Sequence, residues 1–587
     1  MSKLNKDRLD PHTTPGSVLS GESAVEGARL RAETVAREPQ KQEHSLARRY
    51  SFKLIANIAG IPLFLVMEAV LPRALGPFAY GAFSYATGMF QYLTNFLDFG
   101  TSTCLFTALS KRQQEWPLLA FFMRIAGLIF VLCLLFAGLC VIPEVGARVM
   151  PGVPAWIMPL AALWAFATWG VRVVRGVNDA LGQTVKSEKL RTVAGVLACS
   201  ALLVLHFAGV LNLPVLFAHQ LVYLFGMLVV FKIIVLEGFR PASEQTDKDG
   251  PVESLGRIPP LKLTREQNRA YTREFAAFSL PLFLQLVAVT LALMADRWLL
   301  QVFDGNVEQG YFSISQKIGM ACFLFVSAMT PLLTRELAVA HSKNDYAEMG
   351  RLFTRFAPML YAVAAYFSAF ACLEASAMVA IFGGSQFAAA VITVQVMALY
   401  PIHQGYGQLT QAVYYASSRT GALSKITVIS SAIGVIASLF LLLPAEYGGQ
   451  ALGSLGLAVK MVGLQVLVCN FMLFMCSRFI PLQLGRLVLH QVLCLAVFLA
   501  LAWLAGQPAY FWPEYFGNNP FELDGLIGQI VGFCLRGAVY SVCVGVFCFA
   551  CPWLLGTTHA EFKGLWVRAR GGNKETGVGP GDDTAGQ

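Results

Sequence analysis

Long apolar runs separated by short polar turns make up most of this chain of 587 residues. Fourteen runs stand out, at roughly 52–72, 81–107, 117–141, 154–174, 190–210, 213–236, 274–303, 310–333, 354–382, 386–416, 422–444, 451–477, 487–505 and 525–555. A helix needs about 20 apolar residues to cross a hydrocarbon core about 30 Å thick, and the runs meet that length. The pattern predicts an all-α polytopic membrane protein of about fourteen transmembrane helices. Residues 1–50 lack the apolar core of a secretory signal and are rich in Glu, Arg and Ser, which predicts a disordered cytosolic tail. Residues 237–272 and 557–587 are the other long polar stretches. The first reads as a tether with a short amphipathic helix at 261–272, the second as a cytosolic tail.

A weak repeat runs through the pattern. Pro62-Leu-Phe-Leu65 matches Pro281-Leu-Phe-Leu284, and Gly81-Ala-Phe-Ser84 matches Gly310-Tyr-Phe-Ser313. The two landmark pairs are spaced differently, which predicts an insertion around the turn of the second copy. Internal repeats of this kind mark secondary transporters whose site lies between the repeats.

Composition agrees with the pattern: 56% of residues are hydrophobic and 13% charged. The net charge of +9 is a topology signal, not a nucleic-acid footprint. Lys and Arg concentrate in the N-terminal tail, in the loops near 111, 172–191, 232–273, 335–355, 419–425 and 478–486, and in the C-terminal tail. The alternate loops hold little besides Arg73 and Arg148. The positive-inside rule then places both termini in the cytosol. The thirteen cysteines lie almost entirely in the apolar runs; Cys548-Phe-Ala-Cys551 has no second pair or nearby His and reads as structural. No metal site is expected. The aromatic loop 506–523, with Tyr510, Trp512 and Tyr515, reads as an interfacial anchor.

Ionisable residues inside the runs cost at least about 2.5–3.5 kcal/mol each on insertion scales, so each needs a reason. They are Glu68, Asp98, Arg124, Asp296, Arg297, Lys317, Glu374, Lys460 and Arg536. Asp296 and Arg297 project about 100° apart on a helix and need separate partners. Lys317 and Lys460 lie about 10 and 13 Å below the outer turns at 1.5 Å per residue, too deep for easy snorkelling. Two readings stand for the deep bases. They contact an anionic cargo, with Lys317 and Arg297 first and Lys460 adding charge, or they form buried pairs, such as Lys317 with Glu68 or Asp98. Glu68, Asp98, Asp296 and Glu374 are candidates for coupling to Na⁺ or H⁺, the alternative again being charge pairing. In the tenth run Gln404, Gln408 and Gln411 share one helix face, which predicts a hydrated cavity wall or interhelical bonding. His403, one turn away, reads as a core histidine.

Arg73-Ala-Leu-Gly-Pro77 with Tyr80-Gly81, followed by Phe96-Leu-Asp98-Phe-Gly100, resembles the opening hairpin of bacterial polysaccharide flippases. These are the O-antigen and lipid-linked oligosaccharide exporters of the multidrug/oligosaccharidyl-lipid/polysaccharide superfamily. Arg175-Gly-Val-Asn-Asp-Ala-Leu-Gly182, Phe278-Ser-Leu-Pro281 and Gly310-Tyr311 are similar to later landmarks of that family, and the likeness extends over about 52–477. The resemblance implies two six-helix lobes, 51–236 and 273–480, rocking about a central cavity, with accessory helices at 481–556. It implies outward movement of an undecaprenyl-diphosphate-linked oligosaccharide across the bacterial inner membrane, without a cofactor other than a coupling ion. Implied partners are membrane lipids and other polysaccharide assembly proteins. A lipid II flippase or a multidrug antiporter is the alternative within the superfamily, and the excess of deep bases disfavours the antiporter. The alternative from another class is a membrane glycosyltransferase or polymerase. The short, charge-poor outer loops offer it no catalytic constellation.

Overall fold

The computed structural model describes residues 46–112, 115–238, 263–280, 283–322, 330–507 and 525–557. Among them every regular element is helical, as hydrocarbon demands of segments that must satisfy their own backbone N–H and C=O groups. The order begins α1 (Leu46–Asp98), α2 (Thr101–Lys111), α3 (Trp116–Val141), α4 (Pro143–Val149), α5 (Ile157–Ala180), α6 (Thr184–Phe207) and α7 (Leu213–Gly238). It continues α8 (Arg265–Ser279), α9 (Phe283–Ala321), α10 (Thr330–Ser342), α11 (Tyr346–Leu373) and α12 (Ala375–Phe382). It ends α13 (Val391–Ala398), α14 (Tyr400–Ala416), α15 (Thr420–Leu442), α16 (Gly453–Cys476), α17 (Leu484–Ala505) and α18 (Gly525–Ala550). A short N-terminal unit ends at Ile55, and every contact described below lies in the unit that starts at Ala56.

Among the described residues, helices occupy all fourteen predicted spans. Among the described residues eleven stretches are long and apolar enough to cross a membrane, and α9 carries two predicted spans in one helix. Large apolar side chains face outward along them, including Phe207, Val222 and Ile527 at 82, 74 and 78% exposure. A water-soluble surface rarely tolerates such an expanse. The chain is a multi-pass membrane protein. Within the bundle α5 packs on α3 and α7, α9 on α13, α15 and α16, α11 on α14 and α17, and α17 on α18.

The two repeats appear as two kinked hairpins. α1 bends at Gly76 (φ 71°, ψ 171°) and α9 at Gly305 (φ 76°, ψ −165°), a region open in practice to glycine alone. Ser84 and Ser313 stand 229 residues apart, and the same offset relates Gly76 to Gly305, Gly81 to Gly310 and Glu68 to Arg297. This corrects the expected insertion around the second turn, because the register is unbroken from Glu68/Arg297 through Ser84/Ser313. The counterpart of Pro62 in that register is Leu291, not Pro281.

The hairpins pack reciprocally. A Cβ on Gly81 would stand 1.8 Å from the Asn306 carbonyl oxygen, and one on Gly310 would stand 2.3 Å from that of Pro77. The Ser84 hydroxyl donates to Ser313 Oγ at 2.6 Å. Each turn also receives a loop from the other half of the sequence. Gln301 Nε2 and Asn306 Nδ2 donate to the Pro151 and Gly152 carbonyls, both at 2.8 Å. Arg73 Nε donates to the Ile381 carbonyl at 2.8 Å, with a second bond from its guanidinium to Ala380. These contacts join the two hairpins at the turns, the end of the bundle poorest in basic residues.

The predicted amphipathic helix at 261–272 is α8, displaced toward the C-terminus and running to Ser279. Its start is set by a capping box between Thr264 and Gln267, which satisfies two of the free N–H groups of the first turn. It buries Tyr271 and Phe275 against Phe121, and the Tyr271 hydroxyl donates to Glu115 at 2.8 Å. Desolvation, reinforced by that carboxylate, pushes the Tyr271 phenol up to about 12. Most of the 237–272 tether, the 1–45 tail, loop residues 508–524 and the tail from 558 lie outside the described residues.

The glycine contact leaves no room for a methyl group. Gly81→Ala and Gly310→Ala should each destabilise the protein by about 1–3 kcal/mol, the usual cost of overpacking. Gly88→Ala, where a Cβ meets nothing within 4 Å, should be near neutral. Thermal unfolding of the purified protein in detergent checks the contrast.

Candidate functional site

Where the hairpins meet, the deep charges fall into four groups of different chemistry. The first joins the repeats directly. Lys317 Nζ on α9 lies 2.5 Å from Glu68 Oε1 on α1, the pairing anticipated as one of the two readings for this lysine. It is not a sealed pair: the Lys317 side chain is 44% exposed and that of Glu68 16%. Leu65, Tyr80, Ile314, Met378 and Phe382 surround it in a small pocket. The buried Tyr80 hydroxyl bonds to Glu68 and is within electrostatic reach of Arg297.

Arg297 forms the second group. It is 7% exposed, yet among the described residues no carboxylate lies within ion-pair distance. Its NH1 donates to Gln309 Oε1 at 2.9 Å and Ser313 Oγ at 3.0 Å, and its NH2 to Gln316 Oε1 at 2.7 Å. The guanidinium also sits 4.6 Å from the Phe312 ring centre, a favourable cation–π placement. Its partners Ser313 and Gln316 do lie on the next predicted span, but they are neutral acceptors in place of a carboxylate. The kink at Gly305 folds the second arm of α9 back on the first, and that arm supplies the neutral acceptors. Gln309, Ser313 and Gln316 repeat at i, i+4 and i+7, the spacing already noticed in Gln404, Gln408 and Gln411. The sequence reading passed over them, although this period was the available signal. A charge held by dipoles keeps its net charge, and this one remains a full positive unit inside the bundle.

The third group is neutral. Lys460 on α16 approaches Asp296 Oδ2 to 2.5 Å, and Ser438 on α15 donates to Oδ1 at 2.6 Å. Side-chain exposures of 6 and 7% show how completely the pair is enclosed. Asp296 thus has the separate partner that its 100° offset from Arg297 required, and Lys460 is committed to it in this conformation. In the fourth group Arg536 on α18 donates to Glu374 Oε1 at 2.8 Å, tying that helix to the break between α11 and α12.

Asp98 stands apart from all four. It accepts from Thr101 Oγ1, Ser102 N and Ser102 Oγ at 2.9, 3.1 and 2.6 Å, and so ties the end of α1 to the first turn of α2, whose N-cap is Gly100.

The glutamine stripe takes the exposed face of a buried helix. Between Pro401 and Tyr414 every residue is buried except Gln404 and Gln408, which are half-buried, and Gln411, which is exposed. A second polar group lies on the first hairpin. There Gln91 donates to Asn95 Oδ1 at 3.2 Å and Arg172 on α5 at 2.9 Å. Arg172 belongs to this polar wall, although its position near a basic loop suggested only a topology signal. His403 packs edge-on against Tyr361 at 5.6 Å and is the core histidine expected.

Residues 46–337 match the family model described as polysaccharide biosynthesis protein. Among solved structures, the lipid II flippase MurJ in an inward closed conformation aligns with a TM-score of 0.57 at 10% identity, covering 85% of this chain and 98% of that one. A multidrug resistance MATE family transporter of the MOP superfamily aligns in an inward-facing conformation with a TM-score of 0.48 at 14% identity, covering 74% and 94%. No curated protein matches by sequence.

Breaking a buried pair strands a charge and costs about 3–5 kcal/mol, whereas replacing both members with apolar residues is often neutral. Lys460→Met should therefore lower the unfolding temperature markedly, and Lys460→Met with Asp296→Leu should recover most of the loss. Lys317→Met, on a half-exposed lysine, should change it far less. Unfolding of the three variants in detergent reads all three outcomes.

Proposed function

We propose, from the match of residues 46–337 to the family model described as polysaccharide biosynthesis protein, that this chain is a flippase. It carries an undecaprenyl-diphosphate-linked oligosaccharide from the cytosolic to the periplasmic leaflet of a bacterial inner membrane, with both termini cytosolic. The observation that carries the proposal is Arg297: a buried cation cradled by neutral acceptors, one pocket away from a half-exposed Lys317. Glu68 offsets one of these two positive charges, which leaves a net positive unit where the repeats meet. A diphosphate is the part of such a cargo that most needs this charge, since an anion entering apolar surroundings must exchange water for fixed donors.

The mechanism follows from which contacts can open. The glycine contacts and docked loops join the hairpins at the end poor in basic residues, so this conformation faces the cytosol. A diphosphate arriving from there competes with Glu68 for Lys317 and meets Arg297 beyond it. Glycan hydroxyls are met by Gln91, Asn95, Gln404, Gln408 and Gln411, while the lipid tail stays in the bilayer. Of the four candidate carboxylates, Glu68 is the one whose protonation frees a half-exposed cation, which gives an ion gradient a handle on the cycle. Asp296 and Glu374 are held by well-buried bases, and Asp98 is bonded to Thr101 and Ser102.

The test is the lipid-linked sugar that accumulates in cells lacking the gene, with variants supplied back. Finished oligosaccharide-diphospholipid should build up in the inner leaflet. Arg297→Ala and Lys317→Ala should clear it at least about tenfold more slowly than the unaltered protein, given about 1.5–3 kcal/mol for a hydrogen bond to a charged group. Accumulation of lipid II would assign the cargo to cell-wall synthesis instead. An arrest at an incomplete glycan would mean that the protein builds chains rather than moving them.

A further inference from the structure

Away from the hairpins, α11 and α17 enclose a second positively charged cavity of about 430 Å³, within the range of about 300–1,000 Å³ common for small-molecule sites. Arg351 and Arg355 project into it from consecutive turns of α11, and Arg486 and His490 from consecutive turns of α17. Trp553, just after α18, and Gln483 complete the polar and aromatic wall. Arg351 is engaged by Glu348, with bonds of 2.6 and 2.7 Å. Among the described residues no carboxylate lies within ion-pair distance of Arg355 or Arg486, so the cavity has two uncompensated guanidinium groups.

His490 forms part of the inner wall of the cavity. It is 2% exposed, and its Nε2 faces the Leu554 carbonyl at 2.9 Å. A carbonyl only accepts, so Nε2 carries a proton, and the buried Nδ1 has no partner. The ring is fixed edge-on between Tyr361 at 6.0 Å and Trp553 at 5.2 Å.

The walls are also held at fixed spacing. A Cβ on Gly350 would stand 2.6 Å from the Pro481 carbonyl oxygen, and one on Gly556 3.1 Å from that of Arg355. Gly556 adopts φ 69°, a conformation that a side chain disfavours. Both ends of the cavity thus depend on glycine-to-backbone contacts.

We propose that this cavity binds a phosphate group at the membrane face rich in basic residues. Paired arginine forks match phosphate oxygens, and basic pockets between transmembrane helices are where anionic headgroups lodge. None of its residues belongs to the Arg297–Lys317 site. The inference therefore stands whether or not the flippase assignment does.

The experiment uses the full chain purified in a neutral detergent. Native mass spectrometry would follow retention of phosphatidylglycerol against phosphatidylcholine, and thermal unfolding would follow titration with inorganic phosphate. Preferential retention of phosphatidylglycerol, weakened about tenfold by each of Arg355→Gln and Arg486→Gln and only partly restored in the lysine variants, which keep the charge but lose the fork, supports a lipid headgroup as the source. Stabilisation by inorganic phosphate with the same dependence, and no lipid preference, supports a soluble phosphate. Arg478→Gln, on an arginine that rests on Phe474 outside the cavity, should leave either result unchanged. The proposal is overturned if neither probe binds, or if binding is indifferent to Arg355 and Arg486. Circular dichroism of each variant separates loss of binding from loss of fold.

Discussion

The close approach of two backbones at Gly81 and Gly310 is the constraint on which the rest of the structure depends. Nothing larger than a hydrogen atom fits between Gly81 and the Asn306 carbonyl, and that proximity brings Ser84 to Ser313 and Glu68 to Lys317. The kinks at Gly76 and Gly305 are its precondition, since each folds a long helix back so that two arms meet the opposing pair. Polar side chains follow from this architecture. Once the second arm of α9 lies along the first, Gln309, Ser313 and Gln316 are carried to the guanidinium they cradle.

The distribution of charge has a clear logic. Lys460 and Asp296 neutralise one another out of reach of solvent, as do Arg536 and Glu374 almost as fully, and such pairs fix helices in register more than they stabilise them. Arg297 is treated differently, with amide and hydroxyl oxygens where a carboxylate would have cancelled it. Lys317 has its carboxylate, but in a setting open enough for exchange. The bundle thus separates charges spent on architecture from charges kept available.

Much of this was legible in the sequence because hydrocarbon is an unforgiving solvent. Run length gave the spans, and the cost of deep charges marked Glu68, Asp296, Arg297, Lys317, Glu374 and Lys460 before any partner was visible. Partner choice was harder to read. Lys317 with Glu68 was one of two options, whereas Lys460 with Asp296 depends on how α15 and α16 lean on α9, a matter of packing that no local pattern encodes. Asp98 shows the same limit: in Asp98-Phe-Gly-Thr-Ser102 the carboxylate bonds the first turn of the next helix, and the surrounding apolar run hid that turn chemistry. The repeat was visible in four-letter matches, but its register was fixed only by the two kinking glycines, which pair Pro62 with Leu291.

That register has an electrical consequence. Glu68 and Arg297 occupy the same rung of the two hairpins, so a pseudo-twofold that relates their backbones inverts the charge they present. Glu68 is already answered by Lys317, so of these two rung-mates only the one on the second hairpin keeps a charge that no carboxylate offsets among the described residues. Two halves matched in backbone register are thereby unequal in electrical character.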